Sequence, residues 1–355
     1  MNKINCFDEV RFLLAFIVLI AHTSVLANAE QLDWVTQYFD SGFAVKGFFA
    51  ISGYLVTKSY FSSANWLEYL EKRIRRIYPA YVAVIIYCLI VGAITTTMQT
   101  GEFVMSIESA KYAVSNLMFL NFLQPTLPGA LLDNKMQALN GSLWTIKVEV
   151  MLYFIVPVLC FMYARIGKTQ GFIVALIAGV TWFVYFSDYF NHPMGAVLAI
   201  QFPGQLPYFA LGSVLSFVKF RQFHVFAIIV FSLIYYVGVK SQLDSRSAEV
   251  VNMIVYPLFV VAIANTSLLA VGVGKFGDLS YGIYLYHFPT IQLLEHLGFY
   301  DRNPYIGLLC SIVLTGMMAF LSWHVIEKRY LKRTSHYVKA AKLESDSLSI
   351  ACKSK

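Results

Sequence analysis

Charge is scarce in this chain. Of its 355 residues only 13% are Asp, Glu, Lys or Arg, against about 25% in an ordinary soluble domain. That shortage, with 58% hydrophobic residues and a mean hydropathy of +0.62, excludes a water-soluble enzyme and a disordered chain, and leaves an integral membrane protein. Paired cysteines are lacking too. Cys6, Cys88, Cys160, Cys310 and Cys352 form no C-x-x-C pair. Three of them fall in apolar stretches, so there is neither a disulfide framework nor a metal-ligand spacing. No internal repeat is visible, which weighs against an inverted-repeat transporter. The net charge of +7 does not imply nucleic acid, because the basic residues gather in particular connections and in the C-terminal tail, as membrane topology demands.

What the sequence does have is apolar stretches of about 18–23 residues, each long enough to cross a bilayer. They run near 10–28, 41–62, 78–98, 143–164, 170–187, 201–218, 223–240, 249–267, 279–297 and 304–326. The sixth is the weakest, interrupted by Pro203, Gly204 and Pro207. The segment "YAVSNLMFLNFL" (112–123) is shorter and reads as re-entrant or interfacial. "ANA" at Ala27–Ala29 mimics a signal-peptidase site, but Asp8 and Glu9 spoil the positive flank that a cleaved signal needs, so the first span is expected to be retained. With the N-terminus in the cytoplasm, nineteen of the 27 Lys and Arg residues fall on the cytoplasmic side and five on the outer side. That asymmetry predicts both termini inside. The expected fold is all-α, a polytopic transmembrane bundle of about ten spans in one membrane domain (1–332), followed by a polar, basic cytoplasmic tail (333–355) of disordered composition. The longest outer connection, 99–141, contains "QPTLPGALLDN" and is the natural lid or acceptor-binding loop.

Polar residues inside the spans are few and therefore informative. Arg11 and His22 are eleven residues apart in the first span. That is three helical turns plus about 20°, so both lie on one stripe, with the His about 16 Å further along. Ser52, Glu149 and His287, on three other spans, fall at similar depths near the middle of a core about 30 Å thick. Each has a plain structural alternative: His287 as a hydrogen-bonded packing residue, Ser52-Gly53 as a small pair for close helix contact, Arg11 as a snorkelling cation. Glu149 is the hardest to explain by packing, since a carboxylate in hydrocarbon costs several kcal/mol. A proton relay through His22 and Glu149, in a transporter or flippase, is one way to use such groups. The connection "EYLEKRIRRIYPAY" (68–81) carries Lys72, Arg73, Arg75 and Arg76. It serves the positive-inside rule and also offers an anion cradle, because guanidinium forks grip phosphates bidentately. The paired cytoplasmic acids that a metal-dependent glycosyltransferase would want are absent.

Taken together, these motifs resemble the acyltransferase-3 family of integral membrane acyltransferases. The resemblance rests on the Arg11–His22 spacing, "FFAISGYL" (48–55), "RIRRIYP" (73–79), "NLMFLNFL" (116–123), "GSLWTIKVEVMLYF" (141–154) and "LSYGIYLYHFP" (279–289), in order along the chain. It implies a bacterial inner-membrane enzyme, an O-acetyltransferase, that moves an acetyl group from cytoplasmic acetyl-CoA to a hydroxyl of a surface carbohydrate such as lipopolysaccharide O-antigen. The acceptor is free or lipid-linked, and membrane lipids are the other partner. No bound cofactor is implied; acyl-CoA is a substrate. His22 is then the catalytic centre, Arg11 is essential nearby, and Arg73, Arg75 and Arg76, with Arg11, meet the CoA phosphates. Glu149 is the second polar member of the site, suited to orienting the His22 ring. Ser142 and Trp144 of the fourth-span motif, with Tyr281, Tyr284 and His287, are candidates for holding substrate or relaying the acyl group, and Ser52 is the nearest candidate for an acyl relay. Imidazole suits the task, being the side chain whose unperturbed pKa lies nearest pH 7. Some relatives carry a fused extracytoplasmic esterase-like domain; none is expected here, so transfer is completed alone or with a separate partner.

Overall fold

The structure is a computed structural model, and it describes residues 5–331; the tail expected from residue 333 lies outside these. Ten longer helices carry the described chain: α1 (Phe7–Leu26), α2 (Ser41–Phe61), α3 (Trp66–Thr95), α4 (Trp144–Ile166), α5 (Lys168–Val184), α6 (Phe202–Leu215), α7 (Gln222–Ile234), α8 (Ser245–Ala264), α9 (Leu279–His296) and α10 (Pro304–Leu321). Every expected span falls on one of them. Among the described residues the only β pairing is an isolated bridge between Thr96 and Ala130.

Two boundaries differ from expectation for identifiable reasons. The basic connection ahead of the third span is itself helical, so α3 starts at Trp66 and runs through Pro79. Its Leu, Glu, Lys and Arg residues are strong helix formers. The segment around 112–123 is a short helix, Ile107–Leu117, capped by Ser106, whose side chain accepts from the Ser109 N–H; it ends before Phe119, which has φ 60°.

Among the described residues, seven helices are long and apolar enough to cross a membrane by length and composition. Three expected spans, α2, α6 and α9, fall short of that standard, and two of them, α6 and α9, are the most thoroughly enclosed. In α9 fourteen of eighteen residues are buried, and in α6 eleven of fourteen. By contrast α5 buries only Gly171, Ala175 and Gly179, and α7 only Val225 and Ser232. A helix wrapped by other helices needs no lipid-compatible surface, whereas one facing lipid must be apolar all round.

The chain divides into two compact units. The first comprises residues up to Leu14, Gly42–Tyr69 and Lys147–Val271. Its centre is the crossing of α2 and α6, where two glycines meet two carbonyls reciprocally. A Cβ on Gly53 would collide with the Phe209 carbonyl oxygen, and one on Gly212 with that of Ala50. Small residues at a crossing let backbones approach closely, the usual route to tight contact where lipid supplies no hydrophobic drive. The Thr57 hydroxyl donates to Ser213 Oγ at 2.7 Å beside this crossing.

The second unit comprises Ala15–Ser41, Leu70–Ile146 and the chain from Gly272. It is built around α9, which packs along α10. The loop expected as a lid is firmly anchored within it. Gln292 of α9 donates to the carbonyls of Met136 (2.5 Å) and Ala138 (2.8 Å), and Asn134 donates to the Gln292 side-chain oxygen at 2.8 Å and to its carbonyl at 2.9 Å.

Candidate active site

In the second unit α1 and α9 bring two imidazoles together. Nδ1 of His22 lies 2.7 Å from Nε2 of His287. The ring planes are 9° apart with centroids 5.0 Å apart, so the rings meet edge to edge through a hydrogen bond. His287 is completely buried, while His22 is half-buried. The other ring nitrogen of His287, Nδ1, lies 2.7 Å from the Tyr284 carbonyl oxygen and 3.2 Å from that of Ile283. Phe288 stands edge-on to His22 at 5.6 Å, and Tyr284 edge-on to His287 at 5.7 Å. The partner on Nδ1 of His22 is thus an imidazole, in the place expected of a carboxylate.

The turn leading into α4, with the first residues of that helix, is bonded to α9. Asn140 donates to the Leu285 carbonyl at 2.9 Å, and its side-chain oxygen accepts from the Ser142 hydroxyl at 2.6 Å. The Thr145 hydroxyl is 2.6 Å from that of Tyr284. Gly141 lies against Phe288, where a Cβ would come within 2.8 Å of the ring. Ser142 is buried and committed to Asn140, which makes it a buttress of α9. Trp144 opens α4 and is half-buried.

The arginines of α3 are arranged unequally. The Arg76 guanidinium sits between the carboxylates of Asp278 and Glu327, whose side chains are each 2% exposed, and over the Tyr281 ring at 5.2 Å. Asp278 immediately precedes α9 and accepts from the Ser280 hydroxyl at 2.6 Å, while the Tyr281 hydroxyl donates to the Ile77 carbonyl at 3.1 Å. Arg76 and Tyr281 therefore tie α9 to α3. Arg75 is far more exposed. It pairs with Glu71 at 2.8 Å, donates to the Tyr330 carbonyl at 3.3 Å, and borders a cleft of about 280 Å³ lined also by Ile74, Tyr78, Pro79 and Ile326. Arg73 is half-buried on the same helix.

In the first unit Glu149 has its own surroundings. Its Oε1 accepts from the Tyr153 hydroxyl at 2.5 Å and from Ser52 Oγ at 3.3 Å. The Ser52-Gly53 pair thus divides its labour, Gly53 making the close crossing and Ser52 reaching the carboxylate. Arg11, on the Leu14 side of the division of α1, lies 3.9 Å from Asp8 one turn earlier. A further cluster joins three helices: Lys46 Nζ contacts both Glu249 oxygens, at 2.6 and 2.8 Å, and the Tyr208 hydroxyl donates to the same carboxylate at 2.6 Å.

Sequence reasoning missed Asn140, Thr145, Tyr153, Asp278 and Glu327. Tyr153 was detectable, since four residues beyond Glu149 is the same helix face. Asp278 and Glu327 flank the last expected spans as ordinary loop acids, and nothing local marks them as partners of Arg76.

Comparison with known proteins follows the same outline. A family profile described as an acyltransferase domain matches residues 4–325. The chain is 29% identical over 342 residues to a protein of Shigella phage Sf6 named O-acetyl transferase, covering 94% of this chain and 98% of that one. It is 27% identical over 353 residues to nodulation protein 10 of Rhizobium leguminosarum bv. viciae, covering 93% and 94%. Identity is 23% over 337 residues to the O-acetyltransferase OatA of Staphylococcus aureus, covering 84% of this chain and 54% of OatA. No solved structure matches.

Proposed function

The chain belongs to this acyltransferase-3 family, and from that premise we propose that it is a bacterial inner-membrane O-acetyltransferase of ten spans with both termini cytoplasmic. Acetyl-CoA is the donor, and the acceptor is a hydroxyl of a surface carbohydrate, lipopolysaccharide O-antigen foremost. The names of the phage and staphylococcal relatives support O-acetylation, and the Lys and Arg asymmetry supports the orientation. The observation that carries the reading is the half-buried His22, held by its Nδ1 against a fully buried His287 in the interior of a membrane helix.

His22 acts as the general base. It takes the proton of the acceptor hydroxyl as the oxygen attacks the thioester carbonyl; the C–O bond forms, the C–S bond breaks, and the proton passes to the departing CoA sulfur. A positioned base of this kind contributes about 10²–10⁴-fold. Arg73 and Arg75 meet the donor phosphates from α3, and Arg11 does so from the foot of the helix that carries His22. Arg76, between two buried carboxylates, supports the frame instead. Glu149 holds Ser52 and Tyr153 in place, and transfer is direct, without an acyl-serine.

The test is turnover by purified protein in liposomes supplied with radiolabelled acetyl-CoA and a bacterial envelope glycan fraction, wild type beside His22→Ala. Label reaching glycan only with wild type is the expected result. Thioester left intact by folded wild-type protein would reject the enzyme reading and favour a transporter.

A further inference from the structure

We infer that His287 is a positioning residue that fixes the tautomer of His22, leaving Nε2 of His22 as its proton acceptor. The inference rests on His22 being the base, and it concerns how that base is prepared. A carbonyl oxygen only accepts hydrogen bonds. The contacts of His287 Nδ1 with the carbonyls of Tyr284 (2.7 Å) and Ile283 (3.2 Å) therefore require a hydrogen on that nitrogen. In a neutral ring the other nitrogen, Nε2, then carries a lone pair. The 2.7 Å contact with His22 Nδ1 can be a hydrogen bond only if His22 supplies the hydrogen. A neutral His22 protonated on Nδ1 has its lone pair on Nε2. The alternative, a doubly protonated His287 donating to His22, would place an imidazolium at a position of 0% exposure with two carbonyls and no carboxylate in contact. Burying an unpaired charge in that way is costly.

The chain of hydrogen bonds thus runs from the Tyr284 carbonyl through both rings and ends on His22 Nε2. Among the described residues that atom has no protein partner, and His22 is the more exposed ring of the two. When Nε2 receives the acceptor proton, Nδ1–H stays on His22 and continues to donate to His287, which steadies the imidazolium without itself touching substrate. The role is that of the aspartate in a Ser-His-Asp triad, where loss of the correct tautomer costs about 10⁴ in kcat, but it is filled by a neutral group. The frame that holds α9, from Asn140 to Leu285 and from Thr145 to Tyr284, keeps both the His287 ring and the carbonyl behind it in line.

Three variants and one spectrum test this. His287→Gln keeps an acceptor oxygen near the Nε2 position; His287→Met fills the space with no comparable acceptor; His22→Ala removes the base. In liposomes with labelled acetyl-CoA and envelope glycan, His287→Met should lose about 10²–10⁴-fold in kcat, with the KM for acetyl-CoA little changed. His287→Gln should stay within about tenfold of wild type. ¹⁵N spectra of histidine-labelled protein, with the His22 signals assigned by their loss in His22→Ala, should show hydrogen on Nδ1 in wild type and His287→Gln, and a shift toward Nε2–H in His287→Met. A purely structural role would give equal losses for Gln and Met. That result, or a wild-type His22 protonated on Nε2, would overturn the inference. Retained turnover in His22→Ala would instead remove the base reading, and the spectrum reports the tautomer independently of turnover.

Discussion

The His22–His287 pair and the Lys46–Glu249 pair both keep ionisable side chains inside otherwise apolar helices, yet they are closed to different degrees. In the second, an ammonium meets both oxygens of a carboxylate at 2.6 and 2.8 Å, a tyrosine hydroxyl adds a third bond, and the side chains are only 17% and 18% exposed. Charge is cancelled and three helices are joined. In the first there is no ion pair, and the run of hydrogen bonds stops at an imidazole nitrogen without a protein partner among the described residues. A closed cluster of this kind serves architecture; an open-ended one has capacity left for a substrate.

The sharpest way to break that contrast is to remove each group in turn. His22→Ala should lower kcat by about 10²–10⁴-fold while the thermal midpoint in detergent moves little, because only a half-buried ring is lost. Glu249→Gln should do the opposite. It leaves Lys46 largely out of water without its counter-charge, at a cost of about 3 kcal/mol read as a lowered midpoint, with turnover per folded molecule within about twofold. Replacing both partners (Lys46→Met with Glu249→Leu) should recover most of the loss. Lost turnover in Glu249→Gln at unchanged stability would place that cluster in the chemistry instead.

Smaller effects separate Ser52 from Gly53. Gly53→Ala forces a methyl onto the Phe209 carbonyl and should cost about 1–3 kcal/mol by overpacking. Ser52→Ala gives up one 3.3 Å hydrogen bond and should cost about 0.5–1.5 kcal/mol. Both are read from unfolding in detergent. The smallest effect lies outside the spans, at Asp244. Its side chain caps α8 by accepting from the Arg246 and Ser247 N–H groups, each at 3.0 Å, and bonds to Ser247 hold its carboxyl below the usual aspartate range. A depressed folded-state pKa means that the contribution is complete above the unfolded value, near 3.9, and is lost as pH falls through the lower, folded one. Between pH 7 and pH 5 wild type and Asp244→Asn should show the same pH dependence of unfolding, and only below about pH 4 should wild type lose its additional stability.

Hydropathy located all ten long helices, including α6, whose Pro203, Gly204 and Pro207 made it the least convincing span. The same residues explain its place. Pro203 sits in the first turn, where its missing N–H costs nothing, and enclosure by neighbours removes the need for bulky apolar side chains. The candidate base was legible in the spacing of Arg11 and His22, because helical periodicity is local. Its partner was not. His287 read equally well as packing or as substrate contact, since which ring meets which is decided by how α1 and α9 lie together, and no local rule encodes that. Arg76 shows the same boundary from the other side: three arginines on one short stretch look equivalent, until Asp278 and Glu327, far along the chain, single one out.

The clasp between Gln292 and the loop ahead of α4 has a mechanical meaning. Gln292 is five residues beyond His287 on α9, about 7.5 Å along a rod that resists stretching far more than loops do. Its amide is fastened to the Met136 and Ala138 carbonyls. A pull on that stretch of loop would act on the same helix that carries the ring on which His22 leans, so under the proposed mechanism the loop and the candidate base share one helical backbone.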